Sequence, residues 1–410
     1  MVIFRDYQTT IMDKSLPILL KYRFLYLAME VRTGKTLTSL GIAKSLFQKN
    51  VLFVTKKKAI SSIEKDYKLL SPKYKLIVIN YESLHKIPDL KWDMIVCDEA
   101  HSLGAFPKPN NRAKKVKELI LRHNPYVILL SGTPTPESYS QLYHQVYGIP
   151  TNPFKEFKNF YKFAKEYVNI IEKKINGIHM RDYSRGKEII LSKLKPYTIN
   201  LSQSQAGFKT TTNEKVLAVK MDDSTYQLAK RLQKDLVIEG KKEVILADTP
   251  VKLMIKLHQI YSGTIKFESG SSMILDMNKA LFIKKYFRGK KIGIFYKFKE
   301  ELNILKSIFK EELTTDISVF KDTDKSIALQ IVSGREGISL KEAECLVYYN
   351  IDFSATSYWQ SRDRMTTQDR ETNKVYWIFA EKGIEYKIYK AVVKKKDYTI
   401  KHFKSDLLSL

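Results

Sequence analysis

Cysteine is nearly absent from this chain of 410 residues: there are two, Cys97 and Cys345, far apart and each inside an apolar run of strand length. That excludes a disulfide framework and any Cys/His zinc spacing, and it reads both thiols as reduced core residues of a cytoplasmic protein. Long apolar runs are missing too. No stretch approaches the roughly 20 residues that a membrane-spanning helix needs, and the N-terminus lacks the build of a signal peptide, so no membrane partner is expected. Acidic residues are in short supply: 44 Asp and Glu stand against 71 Lys and Arg, a formal net charge of +27. A surplus that large points to a polyanionic partner, nucleic acid first. Within the basic set arginine is a small minority, so a cluster of arginines calls for a reason. With 44% hydrophobic and 12% aromatic residues, the composition is globular, and the length allows two or three domains with proper cores.

What is present is organised around Val31-Arg32-Thr33-Gly34-Lys35-Thr36, set between the apolar run Phe24 to Met29 and a helix-patterned segment from Leu37 to Phe47. A Gly-Lys-Thr where a strand turns into a helix gathers backbone N–H groups, a helix N-terminus and one lysine around a point, which suits a triphosphate. Lys35 would then meet the β- and γ-phosphates and Thr36 would ligate Mg²⁺. The pattern lacks its first glycine, because Met29 stands five positions before Gly34.

Upstream, Phe4-Arg5-Asp6-Tyr7-Gln8 offers an aromatic face and an amide that together suit the face and edge of adenine. Downstream, strands and helices alternate, the mark of a parallel sheet whose ligands gather at the carboxyl ends of the strands. Val51 to Val54 runs into Thr55-Lys56-Lys57-Lys58, Leu76 to Ile79 into Asn80-Tyr81-Glu82-Ser83, and Met94 to Cys97 into Asp98-Glu99-Ala100-His101. A carboxylate pair at the end of a buried strand is costly without a cation or partner. Metal-assisted hydrolysis supplies both: Asp98 holds Mg²⁺, and Glu99 orients and deprotonates the attacking water. A further strand, Val127 to Leu130, ends in Ser131-Gly132-Thr133-Pro134-Thr135.

In order and spacing, FRDYQ, VRTGKT, VTKKKAI, VINYESL, DEAH and SGTPT resemble the Q-motif and motifs I, Ia, Ib, II and III of superfamily-two helicases, nearest to the Snf-type ATPases. The stretch from Arg5 to Thr135 covers one RecA-like domain. The second half continues the resemblance. Residues 152–205, rich in Lys, Tyr and Phe and without internal repeat or low-complexity linker, are similar to the helical crossover between lobes. Lys215 to Val219, Lys291 to Tyr296, Ile327 to Val332 and Leu346 to Tyr349 read as strands, with helices from Ser224 and over Pro250 to Tyr261. Ser333-Gly334-Arg335-Glu336-Gly337-Ile338-Ser339-Leu340 is similar to motif V, and Tyr358-Trp359-Gln360-Ser361-Arg362-Asp363-Arg364 to motif VI. An always-charged planar guanidinium suits a developing γ-phosphate charge better than an ammonium. Arg364 fits the first arginine of motif VI, but Thr367 occupies the second position and Asp363 replaces the usual glycine. Arg362, Arg364 and Arg370 therefore all stand as candidate fingers. Motif Ia also carries Lys56 where the family often has proline.

The resemblance implies an α/β fold of two RecA-like lobes with parallel sheets and a helical segment between them. The expected divisions are an ATP-binding lobe at 1–150, a helical insertion at 151–210, a C-terminal lobe at 211–388 and a basic tail at 389–410. It implies an ATP- and Mg²⁺-dependent DNA translocase or helicase, with motifs I and II on one wall of the nucleotide site and V and VI on the other. ATP contacts fall to Arg5, Tyr7, Gln8, Arg32, Thr33, Gly34, Lys35 and Thr36, and metal contacts to Thr36 and Asp98. Coupling falls to His101, Ser131, Thr133, Gly337 and Gln360, and nucleic-acid contacts to Lys56, Lys57, Lys58, Tyr81, Ser333 and Arg335. Duplex DNA is the expected partner ahead of single strands, with RNA further behind. A strand-separating or RNA-directed helicase and an ATP-gated clamp with little hydrolysis are the alternatives. A compact, lysine-rich core suggests a phage or mobile-element origin.

Overall fold

The computed structural model describes residues 3–175, 178–240, 242–334, 338–367 and 369–394. The chain divides into two compact units, Met1–Phe208 and Lys209–Leu410. Each is an α/β layer structure around one six-stranded sheet, the fold class the motifs imply.

In the first unit the strands are β1 (Phe24–Met29), β2 (Asn50–Thr55), β3 (Lys75–Asn80), β4 (Met94–Cys97), β5 (Tyr126–Leu130) and β6 (Thr198–Leu201). They lie in the order β3-β2-β4-β5-β1-β6, and every pairing is parallel. The central strands are unbroken apolar runs because both faces are covered. Phe24, Tyr26, Leu52, Val54, Ile95 and Cys97 enter one core, while their alternating neighbours Leu25, Leu27, Val51, Phe53, Met94 and Val96 enter the other. Helices α1 (Asp6–Tyr22), α2 (Lys35–Ser45), α3 (Ile60–Leu70) and α4 (Asn111–His123) supply the covering layers.

Residues 151–210 are mixed rather than helical. They hold two short helices, Phe160–Tyr167 and Ile189–Leu194, an antiparallel hairpin of Ile171–Ile175 with Ile178–Asp182, and the edge strand β6. Phe160, Phe163 and Tyr167 pack into the first unit's core, and Leu201 pairs in register with Met29. A segment dense in lysine and aromatics hides this, because β6 is only four residues long and its β-branched signal is brief.

The second unit's strands are β7 (Thr211–Val219), β8 (Ile292–Tyr296), β9 (Leu313–Thr314), β10 (Ser326–Gln330), β11 (Cys345–Tyr348) and β12 (Thr372–Ala380). Their order is β9-β10-β8-β11-β12-β7, again all parallel. The strand expected to run to Val332 ends at Gln330, where the chain enters the helical turn Ile331–Gly334. Helix α5 (Pro250–Tyr261) starts on a Thr249 cap with proline in its first turn, as its sequence dictates. Helices α6 (Lys299–Phe309), α7 (Ala355–Arg362) and α8 (Glu385–Val393) follow; α8 runs through residue 389, where the basic tail was expected to begin. Both cysteines are buried strand residues, and burial pushes each thiol up to about 12. Among the described residues no helix is long and apolar enough to cross a membrane.

Candidate nucleotide site and motif VI helix

Met29 explains the missing glycine. It is the last residue of β1, fully buried and paired with Leu201, so the loop begins only at Glu30 and spans five residues to Gly34. Arg32 and Gly34 both take left-handed backbone, at φ 66° and 77°. At Gly34 a side chain would be strained at this φ and would displace Gln8, since a Cβ would lie 2.5 Å from Gln8 Nε2. The loop is tied on both flanks. Glu30 accepts from the Gln203 N–H through Oε2 at 2.7 Å, and Gln203 Nε2 donates to the Val31 carbonyl at 3.0 Å. Thr33 is buried and its hydroxyl closes the turn on the Glu30 carbonyl at 2.7 Å. Lys35 opens α2 and extends its Nζ to 3.4 Å from the same carbonyl, while Thr36 follows it, partly exposed. Residues 30–36 thus form a short helix-entry loop braced from outside, a geometry suited to an anionic ligand.

The N-terminal residues do gather at this loop, in a different role from the one read in the sequence. Gln8 is buried: its Oε1 accepts from the Arg5 N–H at 3.0 Å, and its Nε2 reaches the Gly34 carbonyl at 3.4 Å and Thr38 Oγ1 at 3.3 Å. Both ends of the amide are committed to protein partners, so in this structure Gln8 braces the loop and does not present an edge for adenine. The side-chain-free space at Gly34 lets the amide approach so closely. Tyr7 donates to the Thr33 carbonyl at 3.3 Å and accepts from Arg5 at 2.9 Å, at the loop's rim.

The carboxylate pair sits at the carboxyl end of β4. Asp98 is fixed by two neighbours: its N–H donates to the Val54 carbonyl at 2.8 Å, and Thr55 Oγ1 donates to its Oδ2 at 2.7 Å. Burial, reinforced by the Glu99 charge, pushes the Asp98 carboxyl up to about 6, while Thr55 and Lys35 pull the other way. Lys35 is close enough to act on the Asp98 charge. Glu99 holds left-handed backbone at φ 50°, strain of the kind that collects at functional positions. His101 Nδ1 lies 3.3 Å from Glu99 Oε2 and 3.1 Å from Ser131 Oγ, and Ser131 Oγ accepts from the Thr133 N–H at 3.2 Å. Motifs II and III are therefore joined through one imidazole. A Cβ on Gly132 would sit 3.5 Å from Lys35 Nζ, which brings the third motif against the phosphate loop. Sequence reasoning overlooked Thr55, although its place at the end of β2, with Val54 in register with Cys97, puts it beside Asp98. It also overlooked Gln203, which nothing local marks.

Oxygen donors with one carboxylate and one hydroxyl suit Mg²⁺, which takes few protein ligands and shares the rest of its shell with phosphate and water. Among the described residues no group of three or more His, Cys, Asp or Glu could hold a metal alone.

Of the expected nucleic-acid contacts, Lys57 and Lys58 are exposed on the turn after β2 and Lys56 is half-buried. Tyr81 needs correction. It is 1% exposed in the first unit's core, and its hydroxyl donates to the Asp98 carbonyl at 2.6 Å. It braces the carboxylate strand and has no surface to offer a polyanion. A tyrosine directly after a strand reads as a loop residue in sequence, but here the chain turns inward through the helical turn Tyr81–Lys86. Ser333 lies in the turn Ile331–Gly334, and Gln360 on α7; their side chains, with Arg335 and Gly337, lie outside the described residues.

The three motif VI arginines separate clearly. Arg370 spends its guanidinium on backbone: Nη2 donates to the Ala343 and Glu344 carbonyls at 2.8 and 3.1 Å, Nη1 to Lys341 at 3.1 Å, and Nε to Thr372 at 3.4 Å. Arg362 pairs with Glu214 at 2.9 Å and lies 4.3 Å over the Trp359 ring. Arg364 donates from Nη1 to the Ile338 carbonyl at a longer 3.3 Å. Arg362 and Arg370 thus each have close protein acceptors in this arrangement. Arginine was chosen there for its fork of donors and its flat face.

Two parallel-sheet units, a Gly-Lys-Thr helix entry, a strand-end carboxylate pair and a motif VI helix define a superfamily-two helicase core of Snf type. The SNF2-related domain model matches residues 42–262, and the chain belongs to that family. The match begins within α2, so the phosphate loop and motif VI rest on the geometry above. The chain is 20% identical over 423 residues to the CHD3-type chromatin-remodeling factor CHR7 of Arabidopsis thaliana, covering 85% of this chain and 33% of that protein. It is 29% identical over 84 residues to the RNA polymerase-associated protein RapA of Serratia proteamaculans, covering 20% of this chain and 9% of that one. The chain thus spans about a third of the plant relative's length and about a tenth of the bacterial one's. A solved structure, the Sulfolobus solfataricus SWI2/SNF2 ATPase core in complex with dsDNA, aligns with a TM-score of 0.43 at 16% identity, covering 96% of this chain and 91% of that one.

Proposed function

We propose that this protein is a DNA-dependent ATPase that hydrolyses ATP at the phosphate loop of its first unit and uses the cycle to move on duplex DNA. The observation that carries the reading is the Asp98–Glu99 pair at the end of β4, with Lys35 acting on its electrostatics and His101 joining it to Ser131. A half-buried carboxylate pair at the end of a buried strand, beside a loop lysine, suits a site for cation-bound phosphate.

In this reading Lys35 and the N–H groups at the start of α2 bind the β- and γ-phosphates. Thr36 and Asp98 would hold Mg²⁺, which would supply charge neutralisation at the phosphates. Glu99, oriented by His101, takes the proton of the attacking water. Arg364 meets the charge that develops on the γ-phosphoryl group. Ser131 meets the same imidazole and Thr133 meets Ser131, so a change at Glu99 is passed to the loop after β5. The net charge of +27 and the family's chromatin-remodelling member support DNA as the polyanion.

The test is ATP turnover measured in parallel without nucleic acid and with single-stranded DNA, duplex DNA or RNA. Stimulation greatest with duplex DNA supports the proposal. Stimulation by RNA alone, or binding of nucleotide and DNA with no turnover, would replace it with the RNA-directed or the clamp reading.

A further inference from the structure

We infer that Glu214 and Asp352 are positioning residues: they clamp α7 at its two ends, so that Arg364 just beyond it is held ready to act. The inference rests on the reading of Arg364 as the arginine that meets the γ-phosphate.

The clamp at the start of α7 is built on strand ends. Lys297, the first residue past β8, places Nζ 2.9 Å from Asp352 Oδ1, just past β11. Asp352 Oδ2 accepts from Ser357 Oγ in the first turn of α7 at 2.7 Å, and its Oδ1 also accepts the Phe353 N–H at 2.9 Å. Burial pushes the Asp352 carboxyl up, but the Lys297 ammonium and these hydrogen bonds outweigh it and hold the group below its ordinary value. The ion pair therefore persists through neutral pH.

The clamp at the end of α7 centres on Glu214, which sits on β7 opposite Val375 of β12. Its two oxygens receive Tyr358 OH at 2.8 and 2.9 Å, Arg362 Nη1 at 2.9 Å, Trp377 Nε1 at 2.9 Å and Tyr389 OH at 3.3 Å. One carboxylate thereby joins the edge strand, the neighbouring strand, α8 and two turns of α7. Between the clamps, Tyr348 OH donates to Ser361 Oγ at 2.6 Å. Among the described side chains of α7, Ser357, Tyr358, Ser361 and Arg362 are thus tied by polar contacts to the sheet or its strand ends.

Stability alone does not call for this. Tyr358 and Ala355 already pack in the core, and sparsely exposed ion pairs gain little over apolar packing because desolvation offsets the attraction. What two such pairs do supply is a fixed rotation and register for the helix. Arg364 lies in the turn Asp363–Met365 that directly continues α7, so the backbone passes the helix's orientation to it, while the Leu340 N–H holds its carbonyl from the other side at 3.0 Å.

The test is a double-mutant cycle on DNA-stimulated turnover with Glu214→Gln, Arg364→Ala and the pair. Glu214→Gln keeps shape and removes the charge. We expect it to lower kcat about tenfold with the KM for ATP changed less than about twofold, and to add less than about twofold when Arg364 is already alanine. Asp352→Asn should behave alike, and Arg362→Lys, which keeps the charge but loses the flat stack on Trp359, provides the same cycle if Glu214→Gln does not fold. Full additivity between Glu214 and Arg364 overturns the inference, as does a loss in which KM and kcat move together. If Arg364→Ala alone leaves kcat intact, it is the reading of Arg364 that fails. A crippling Arg364→Ala with an additive Glu214→Gln sinks the clamp only.

Discussion

The two units carry the same kind of sheet but hold their functional groups by different means. In the first, left-handed backbone at Arg32, Gly34 and Glu99 shapes the loop before Lys35 and the turn after β4, and the side chains of Gln8, Gln203, Thr33 and Thr55 brace that shape. In the second, the motif VI helix is held without such a loop, through the carboxylates Glu214 and Asp352 and the aromatic rings around them. Charge differs as well. Residues 1–208 hold 34 Lys and Arg against 17 Asp and Glu, while the remainder holds 37 against 27. The first unit is the more strongly basic, so the polyanion is expected to lean on it more heavily. A loop motif whose geometry is set by backbone announces itself in sequence; an arginine whose role depends on distant acceptors does not.

The comparison breaks most readily at the phosphate loop. Lys35→Ala should abolish ATP turnover and leave the fold intact, since the side chain is partly exposed and its neighbours hold the loop without it. Near-normal turnover by the folded variant would show that the nucleotide binds elsewhere. Glu99→Gln should lower turnover by about a hundredfold or more while ATP still binds, the loss expected of a general base. Equal losses in ATP binding and turnover would make Glu99 a structural residue of the strained turn.

A smaller effect tests the charge asymmetry. Replacing Lys57 and Lys58 by alanine should make the salt dependence of duplex binding shallower, by roughly 0.9 in the logarithmic slope per lost phosphate contact. The control is Lys306 and Lys310, exposed at the far end of α6, which runs back from the carboxyl edge of the second sheet. Their loss should leave the slope nearly unchanged, and equal slopes for the two pairs would mean that the surplus acts as a diffuse field. The smallest effect is at Tyr81. Tyr81→Phe should cost about 1 kcal/mol of stability, the worth of one buried hydrogen bond, read from the denaturant midpoint, with DNA affinity untouched. A drop in affinity without a drop in stability would restore Tyr81 to the DNA surface.

Sequence reading went furthest where local chemistry and strand ends coincide. β1 and β4 match their apolar runs residue for residue, and Lys35, Asp98, His101 and Ser131 meet as their motifs suggest. It failed where a residue's role is set by something distant. Gln8 turned inward because Gly34 leaves room for its amide, and Tyr81 because Asp98 offers a carbonyl beneath it. Arg362 and Arg370 looked like fingers by spacing, but their acceptors, Glu214 and the carbonyls of 341–344, lie 148 residues and nearly thirty residues away in the chain. β6 escaped notice because four residues beside β1 gain their strand character from the neighbour and little from their own pattern.

The division of labour between the units is the central claim, and one paired measurement tests it: equilibrium binding of a non-hydrolysable ATP analogue set against turnover, for Lys35→Ala and Arg364→Ala together. Lys35→Ala should lose binding and turnover alike. Arg364→Ala should bind the analogue within about threefold of the unaltered protein and yet turn over about a thousandfold more slowly, because an arginine finger acts chiefly on the transition state. Normal turnover by Arg364→Ala, or a loss of analogue binding as deep as that of Lys35→Ala, would contradict the account.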